Sequence, residues 1–127
     1  MKRIINTNKA PKAIGPYSQA TVGNGMICVS GQLPINPETG NIPEGIEEQV
    51  EQSMKNVLAI VDAAGAAAED ILKCGLFIKD MSLFPRINAA YEKFFDAQPP
   101  ARFVVEVSKL PRDVQIEIDA IAIINDV

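Results

Sequence analysis

Apolar and polar residues recur along this chain in two rhythms, and each rhythm marks a kind of element. Residues 17–22 and 26–30 read as strands, and they flank Gly23-Asn24-Gly25. Asn-Gly is the dipeptide best suited to a two-residue hairpin turn, because both central positions need positive φ. Asn36-Pro37-Glu38-Thr39-Gly40 supplies a second turn, with Pro presetting φ and Gly taking the left-handed position. From 45 to 64 the rhythm becomes helical: Ile46, Val50, Met54, Val57, Leu58 and Val61 share one stripe, while Glu47, Glu48, Glu51 and Lys55 face away. Gly65 is a natural stop just past that helix. Residues 71–78 read as a strand. A second helix follows, with Ser82 as N-cap, Pro85 in its first turn, and an apolar face of Phe84, Ile87, Tyr91, Phe94 and Phe95; Gln98-Pro99-Pro100 ends it. Residues 101–108 and 115–124 are the last strands, and residues 3–6 suit a short first one.

The order β-β-α-β-α-β-β predicts an α+β fold, one mixed sheet with two helices packed on one face, as a single domain over 1–127. In the last strand Ile116, Ile118, Ala120, Ala122 and Ile124 alternate with Gln115, Glu117, Asp119, Ile121 and Ile123. The second set is polar at one end and apolar at the other. A partly apolar open face usually meets another subunit, so an oligomer is expected.

Composition narrows the chemistry. With 127 residues, 47% of them hydrophobic, the chain can build a core without disulfides or a structural metal. Twelve basic and 16 acidic residues give a net charge of −4, and the pI is near 4.8. Such a surface repels phosphate backbones, which disfavours a nucleic-acid partner. Lys2, Arg3, Lys9 and Lys12 make the start basic, but no aromatics are interleaved, so it reads as a solvated face. No apolar run approaches the roughly 18 to 20 residues of a membrane span, and no secretory signal opens the chain. Cys28 and Cys74 lie far apart and read as free thiols, Cys28 as a buried strand residue. A cytoplasmic location is expected. Histidine is absent, which removes Ser-His-Asp and Cys-His nucleophile sites and the HExxH metal site.

Three sets of residues remain as candidates. Arg102 follows Pro99-Pro100-Ala101 inside the apolar run Phe103, Val104, Val105 and Val107. A guanidinium there needs a partner or water: either it makes a strand-edge salt bridge or snorkels, or its planar fork binds a carboxylate. Glu117, between Ile116 and Ile118, falls on the less apolar face with Gln115 and Asp119. It pairs with Arg102 as a salt bridge, lies on a solvated strand face, or holds a water and takes its proton; a shared sheet could let the two converge. Tyr17, in Gly15-Pro16-Tyr17-Ser18, and Ser30, in Ser30-Gly31-Gln32, put hydroxyls and a bare backbone at strand ends. They suit either ordinary turns or a small polar ligand.

Taken together, Gly15-Pro16-Tyr17-Ser18-Gln19-Ala20, Ser30-Gly31-Gln32 with Asn36-Pro37-Glu38-Thr39-Gly40, Asn88-Ala89-Ala90-Tyr91, Pro100-Ala101-Arg102 and Ile116-Glu117-Ile118 resemble, in order and over the whole chain, the RidA (reactive intermediate deaminase A, YjgF) family. The resemblance implies a chorismate-mutase-like domain, a homotrimer with a central barrel, and ligand sites between subunits. It also implies hydrolysis of 2-imino acids, formed from enamines such as 2-aminoacrylate, to 2-keto acids and ammonia, with no metal or organic cofactor. Arg102 would then clamp the substrate carboxylate and Glu117 would handle the water. Tyr17, Ser30, the Gly31 backbone and Asn88 would line the pocket. Val104 stands where many deaminase members carry a cysteine, which makes this pocket more apolar, and residues 95–100 form a stretch a few residues shorter than in close relatives. The alternative function is a non-catalytic sensor that binds 2-keto or amino acids in the same cleft. An RNA-cleaving translation inhibitor, a third reading, is opposed by the acidic pI.

Overall fold

A computed structural model describes residues 1–124; the last three residues of the expected 1–127 domain lie outside the described residues. Six strands form one mixed sheet: β1 (Arg3–Ile5), β2 (Ala20–Gly23), β3 (Met26–Gln32), β4 (Ile71–Ile78), β5 (Ala101–Glu106) and β6 (Ile116–Ile123), in the spatial order β1-β2-β3-β6-β4-β5. Every neighbouring pair is antiparallel except β4–β5, which is parallel and joined through a helix. The hairpin turns where expected: Asn24 and Gly25 both take positive φ, 51° and 77°, and Gly23 pairs with Met26.

Helix α1 (Ile46–Ala63) lays Ile46, Val50, Met54, Val57, Ile60 and Val61 on the sheet. Three buried polar residues share that face. Asn56 donates to the carbonyls of Leu33 and Ile35 at 3.0 and 2.9 Å, and Gln49 donates to the Pro43 carbonyl at 2.8 Å while accepting from the Gln115 N–H at 2.9 Å. These amides replace missing backbone partners for the loop before α1. Gly65, at φ 95°, stops the helix, and the Ala66 N–H returns to the Val61 carbonyl at 3.1 Å.

Helix α2 (Phe84–Glu92) is shorter than its sequence pattern, and Ser82 does not cap it. Asp80 caps instead a single 3₁₀ turn, Met81–Leu83, accepting from the Ser82 N–H at 2.9 Å and the Ser82 hydroxyl at 2.7 Å. Past Glu92 the backbone tightens, with Phe94 and Phe95 N–H groups reaching the Tyr91 and Glu92 carbonyls. Phe94 and Phe95 then pack on the core from outside the helix. Strand β2 also starts later than expected, which leaves Tyr17 in the loop before it, and β5 ends at Glu106.

The two sheet faces differ as the last strand foretold. Ile116, Ile118, Ala120 and Ala122 are buried under the helices together with Ile27, Val29, Cys74, Leu76 and Ile78. The other face carries Met26, Val105 and Ile123, exposed at 45%, 41% and 36%. Cys28 is exposed there too, which corrects the expectation of a buried thiol: alternation about Ile27 and Val29 turns it to the open face. Among the described residues no helix is long and apolar enough to cross a membrane.

Candidate active site

Arg102 projects from β5, the edge strand, beside the buried Cys74 of β4 and therefore on the helix side. There α2 receives it. Its Nη1 donates to Asn88 Oδ1 at 2.8 Å, and its Cζ stands 5.5 Å from the Phe84 ring centroid and 5.0 Å from that of Tyr91. Asn88 is the only hydrogen-bond acceptor of this guanidinium among the described residues, so the Nε–Nη2 edge is left for a planar anion. A cavity of about 560 Å³ opens beside it, walled by Asn88, Tyr91, Phe95, Pro100 and Arg102 together with the acidic Glu92 and Asp96. Tyr91 is buried; its hydroxyl has no properly oriented hydrogen-bond partner but lies in electrostatic reach of the Cys74 thiol. Burial, and then Cys74, push the Tyr91 hydroxyl far above its usual range, so it keeps its proton at neutral pH. Burial likewise raises the Cys74 thiol.

Glu117 belongs to a second constellation. On β6 it stands opposite Phe77 of β4 and shares the open face with Asp119. Beyond it the β3–β6 register shifts between Val29 and Gln32, so Ser30 and Gly31 form a bulge. Gly31 lies against Glu117: a Cβ there would come within 2.9 Å of the carboxyl carbon Cδ. Ser30 donates through Oγ to the Ser18 carbonyl at 2.6 Å, and Tyr17, one residue earlier, is exposed with its hydroxyl 3.4 Å from the Ile14 N–H. Gln19 pins the preceding loop by accepting from the Thr7 N–H at 2.7 Å and donating to the Pro11 carbonyl at 2.8 Å. Burial first, and the neighbouring Asp119 second, raise the Glu117 pKa above its usual value. Asp119 is itself held by the Gly75 N–H at 2.9 Å.

Ser30, Gly31 and Glu117, with Tyr17 just before Ser18, therefore form one cluster, and Asn88 with Arg102 another. Within one chain they do not converge, contrary to the expectation that a shared sheet could bring Arg102 to Glu117: β4 runs between their strands, and the side chains leave opposite faces. Phe84 and Tyr91 were legible only as core positions. Their 84-88-91 spacing with Asn88, one helical face, was the available signal. Among the described residues no cluster of three or more His, Cys, Asp or Glu could hold a metal ion.

Comparison with known proteins gives these residues a context. A family model described as Endoribonuclease L-PSP matches residues 7–124. A 2-iminobutanoate/2-iminopropanoate deaminase of Escherichia coli K12 is 50% identical over 126 residues, 97% of this chain and 98% of that protein. A RutC family protein of Haemophilus influenzae is 49% identical over 127 residues, 97% of this chain and 98% of that one. Among solved structures, the YjgF gene product of E. coli has a TM-score of 0.93 at 50% identity, covering 95% of this chain and 98% of that chain. E. coli TdcF with bound serine has a TM-score of 0.94 at 46% identity, covering 97% and 99%.

Proposed function

Because the chain belongs to the endoribonuclease L-PSP family, which takes in the YjgF and RidA proteins, we propose that it is a 2-iminobutanoate/2-iminopropanoate deaminase working on small 2-imino acids in the cytoplasm. The observation that carries this reading is the uncommitted Nε–Nη2 edge of Arg102 at the wall of a cavity. A guanidinium fork fixes a carboxylate in one plane, and the imine carbon bonded to it is thereby fixed as well. The identity to a protein named for this activity, at 50% over nearly the whole chain, agrees. So does the serine bound to TdcF, an α-amino carboxylate of similar size.

Glu117 supplies the proton handling. It takes a proton from water as the oxygen attacks the iminium carbon, forming a carbinolamine. It returns that proton to nitrogen, takes the hydroxyl proton as the carbonyl forms and the C–N bond breaks, and passes it to the departing ammonia, leaving a 2-keto acid and ammonium. Its raised pKa suits a group that must both take and give a proton. The electrophile is already activated by its own positive charge, so no cofactor is required. Enamines such as 2-aminoacrylate, released by pyridoxal-phosphate dehydratases, enter after tautomerising to the imine.

The two clusters, taken as half-sites, support an assembly of several copies, read here as the homotrimer that the family resemblance implies. Arg102 lies at the sheet edge, and the apolar open face of Met26, Cys28, Val105 and Ile123 suits burial against further copies around a central barrel. Arg102 of one chain then meets Tyr17, Ser30, Gly31 and Glu117 of the next. The nuclease suggested by the family description has neither a histidine nor a basic stripe to serve it.

The test couples an amino-acid oxidase to a spectroscopic trap for the imine. Faster imine loss with wild-type protein, abolished in Arg102→Ala, supports the deaminase. Binding of a 2-keto acid with no acceleration across several imino acids replaces it with the sensor reading.

A further inference from the structure

The guanidinium of Arg102 is not merely hydrogen-bonded. It is seated between two aromatic rings on α2, with Asn88 one turn from each: Phe84, Asn88 and Tyr91 follow at spacings of four and three, so all three side chains leave one face of the helix. The Cζ distances of 5.5 and 5.0 Å place both rings within the ~6 Å at which a ring quadrupole attracts a cation. Guanidinium is weakly hydrated and planar, so it gains more from such faces than an ammonium would. The rings are themselves fixed. Tyr91 is 4% exposed and packs on Phe95 at 5.1 Å between centroids, and Phe84 opens the helix directly before Pro85.

We propose that Phe84 and Tyr91 are positioning residues that hold the Arg102 fork ready for the substrate carboxylate, and that the aromatic faces, not the Tyr91 hydroxyl, do this. The inference rests on Arg102 being the carboxylate clamp of the proposed deaminase. An arginine side chain on a half-buried strand has many rotamers, and fixing one of them costs entropy at each binding event. The cradle meets that cost during folding, so the effect falls on affinity. The carboxylate does not change in the reaction. Losing the cradle while the fork itself is kept weakens the hold on ground state and transition state alike, so it raises KM while leaving kcat nearly unaltered. The Tyr91 hydroxyl is buried without a hydrogen bond, which identifies the ring as the useful part.

The experiment measures Kd for 2-oxobutanoate by calorimetry and KM and kcat for the imine, in wild type, Tyr91→Leu, Tyr91→Phe and Phe84→Leu, with Kd alone repeated for each in an Arg102→Ala background. Expected are rises of about tenfold in both Kd and KM for Tyr91→Leu, with kcat within about twofold. Tyr91→Phe returns affinity to within about threefold of wild type. In the Arg102→Ala background Tyr91→Leu causes no further loss, because the two act through one interaction. An equal additional loss there, or a fall in kcat at unchanged KM, overturns the proposal, as does a Tyr91→Phe as weak as Tyr91→Leu. Should Tyr91→Leu fail to fold, Phe84→Leu carries the same comparison from the other ring. Keto-acid binding without imine turnover counts against the deaminase alone, since the cradle is still read through Kd.

Discussion

Arg102 and Glu117 stand on opposite faces of one sheet, the first beside buried Cys74 under α2, the second beside Gly31 on the open face. A substrate held by both must therefore lie between chains. Two inactive variants, Arg102→Ala and Glu117→Ala, are expected to regain activity when unfolded and refolded together. With random assembly at equal amounts, about a quarter of the sites would pair an intact arginine with an intact glutamate. Activity near a quarter of wild type in the mixture, and none in either variant refolded alone, is the expected result; a mixture as inactive as its parts would place both groups in one chain's site.

The open face gives a second measurement. Cys28 is exposed there among Met26 and Ile123, whereas Cys74 is buried. If copies cover that face, neither thiol reacts with a thiol reagent in the native protein. Ile123→Asp puts a charge into the covered face, where it cannot be solvated, and is expected to dissociate the proposed trimer. In that variant one thiol, Cys28, becomes reactive and sedimentation shows a monomer. One reactive thiol in the undissociated wild type would mean that another surface makes the contact.

Much of this site can be read along the chain, and what cannot has a physical cause. Parity within β6 already puts Glu117 with Asp119 and away from Ile116 and Ile118. Alternation also carries Cys28 to the face opposite Ile27 and Val29, a signal outweighed by the general tendency of cysteine to be buried. Parity within a strand says nothing about the next strand, however. That Arg102 sits level with Cys74 depends on the β4–β5 register, which a parallel crossover sets through the packing of α2. The bulge at Ser30 and Gly31 has no local code at all, because its position follows from the pairing of β3 with β6. Phe84 and Tyr91 show as an apolar stripe, and only the placement of β5 turns part of that stripe toward a guanidinium.

Glu117 ties activity and stability to pH in opposite senses. As the proposed base it must be ionised, and burial and Asp119 raise it above the usual 4.5. The ratio kcat/KM is therefore expected to fall on acidification through a pKa above that value. Asp119→Asn removes one of the two causes and moves the fall to lower pH. For stability the sign reverses: a carboxyl whose folded pKa is raised binds protons more readily when folded, so its ionisation opposes folding as pH rises from 4.5 through the raised value. Glu117→Gln should melt higher than wild type at neutral pH, with the difference vanishing below 4.5. A pH–rate profile and melting curves at acid and neutral pH check both. An acid limb unmoved by Asp119→Asn would mean that Asp119 has no electrostatic hold on the base.

Gly31 separates the shape of the site from the stability of the fold. Its backbone is not in the left-handed region, so alanine is conformationally permitted, but a Cβ would press on the Glu117 side chain, 2.9 Å from Cδ. That neighbour is the far end of a flexible side chain, which can swing aside at little cost to folding. Swinging aside moves the carboxylate from the water that it deprotonates in the proposed reaction, and a misplacement of about 1 Å is enough to cost roughly a hundredfold in rate. Gly31→Ala is accordingly expected to fold and to melt within a few degrees of wild type. It should bind 2-oxobutanoate, because the Arg102 cradle is untouched, and lose about a hundredfold in kcat. Retained kcat in a folded Gly31→Ala protein would mean that Glu117 acts from a position other than the one beside Gly31, and would remove the reason for a glycine in the bulge.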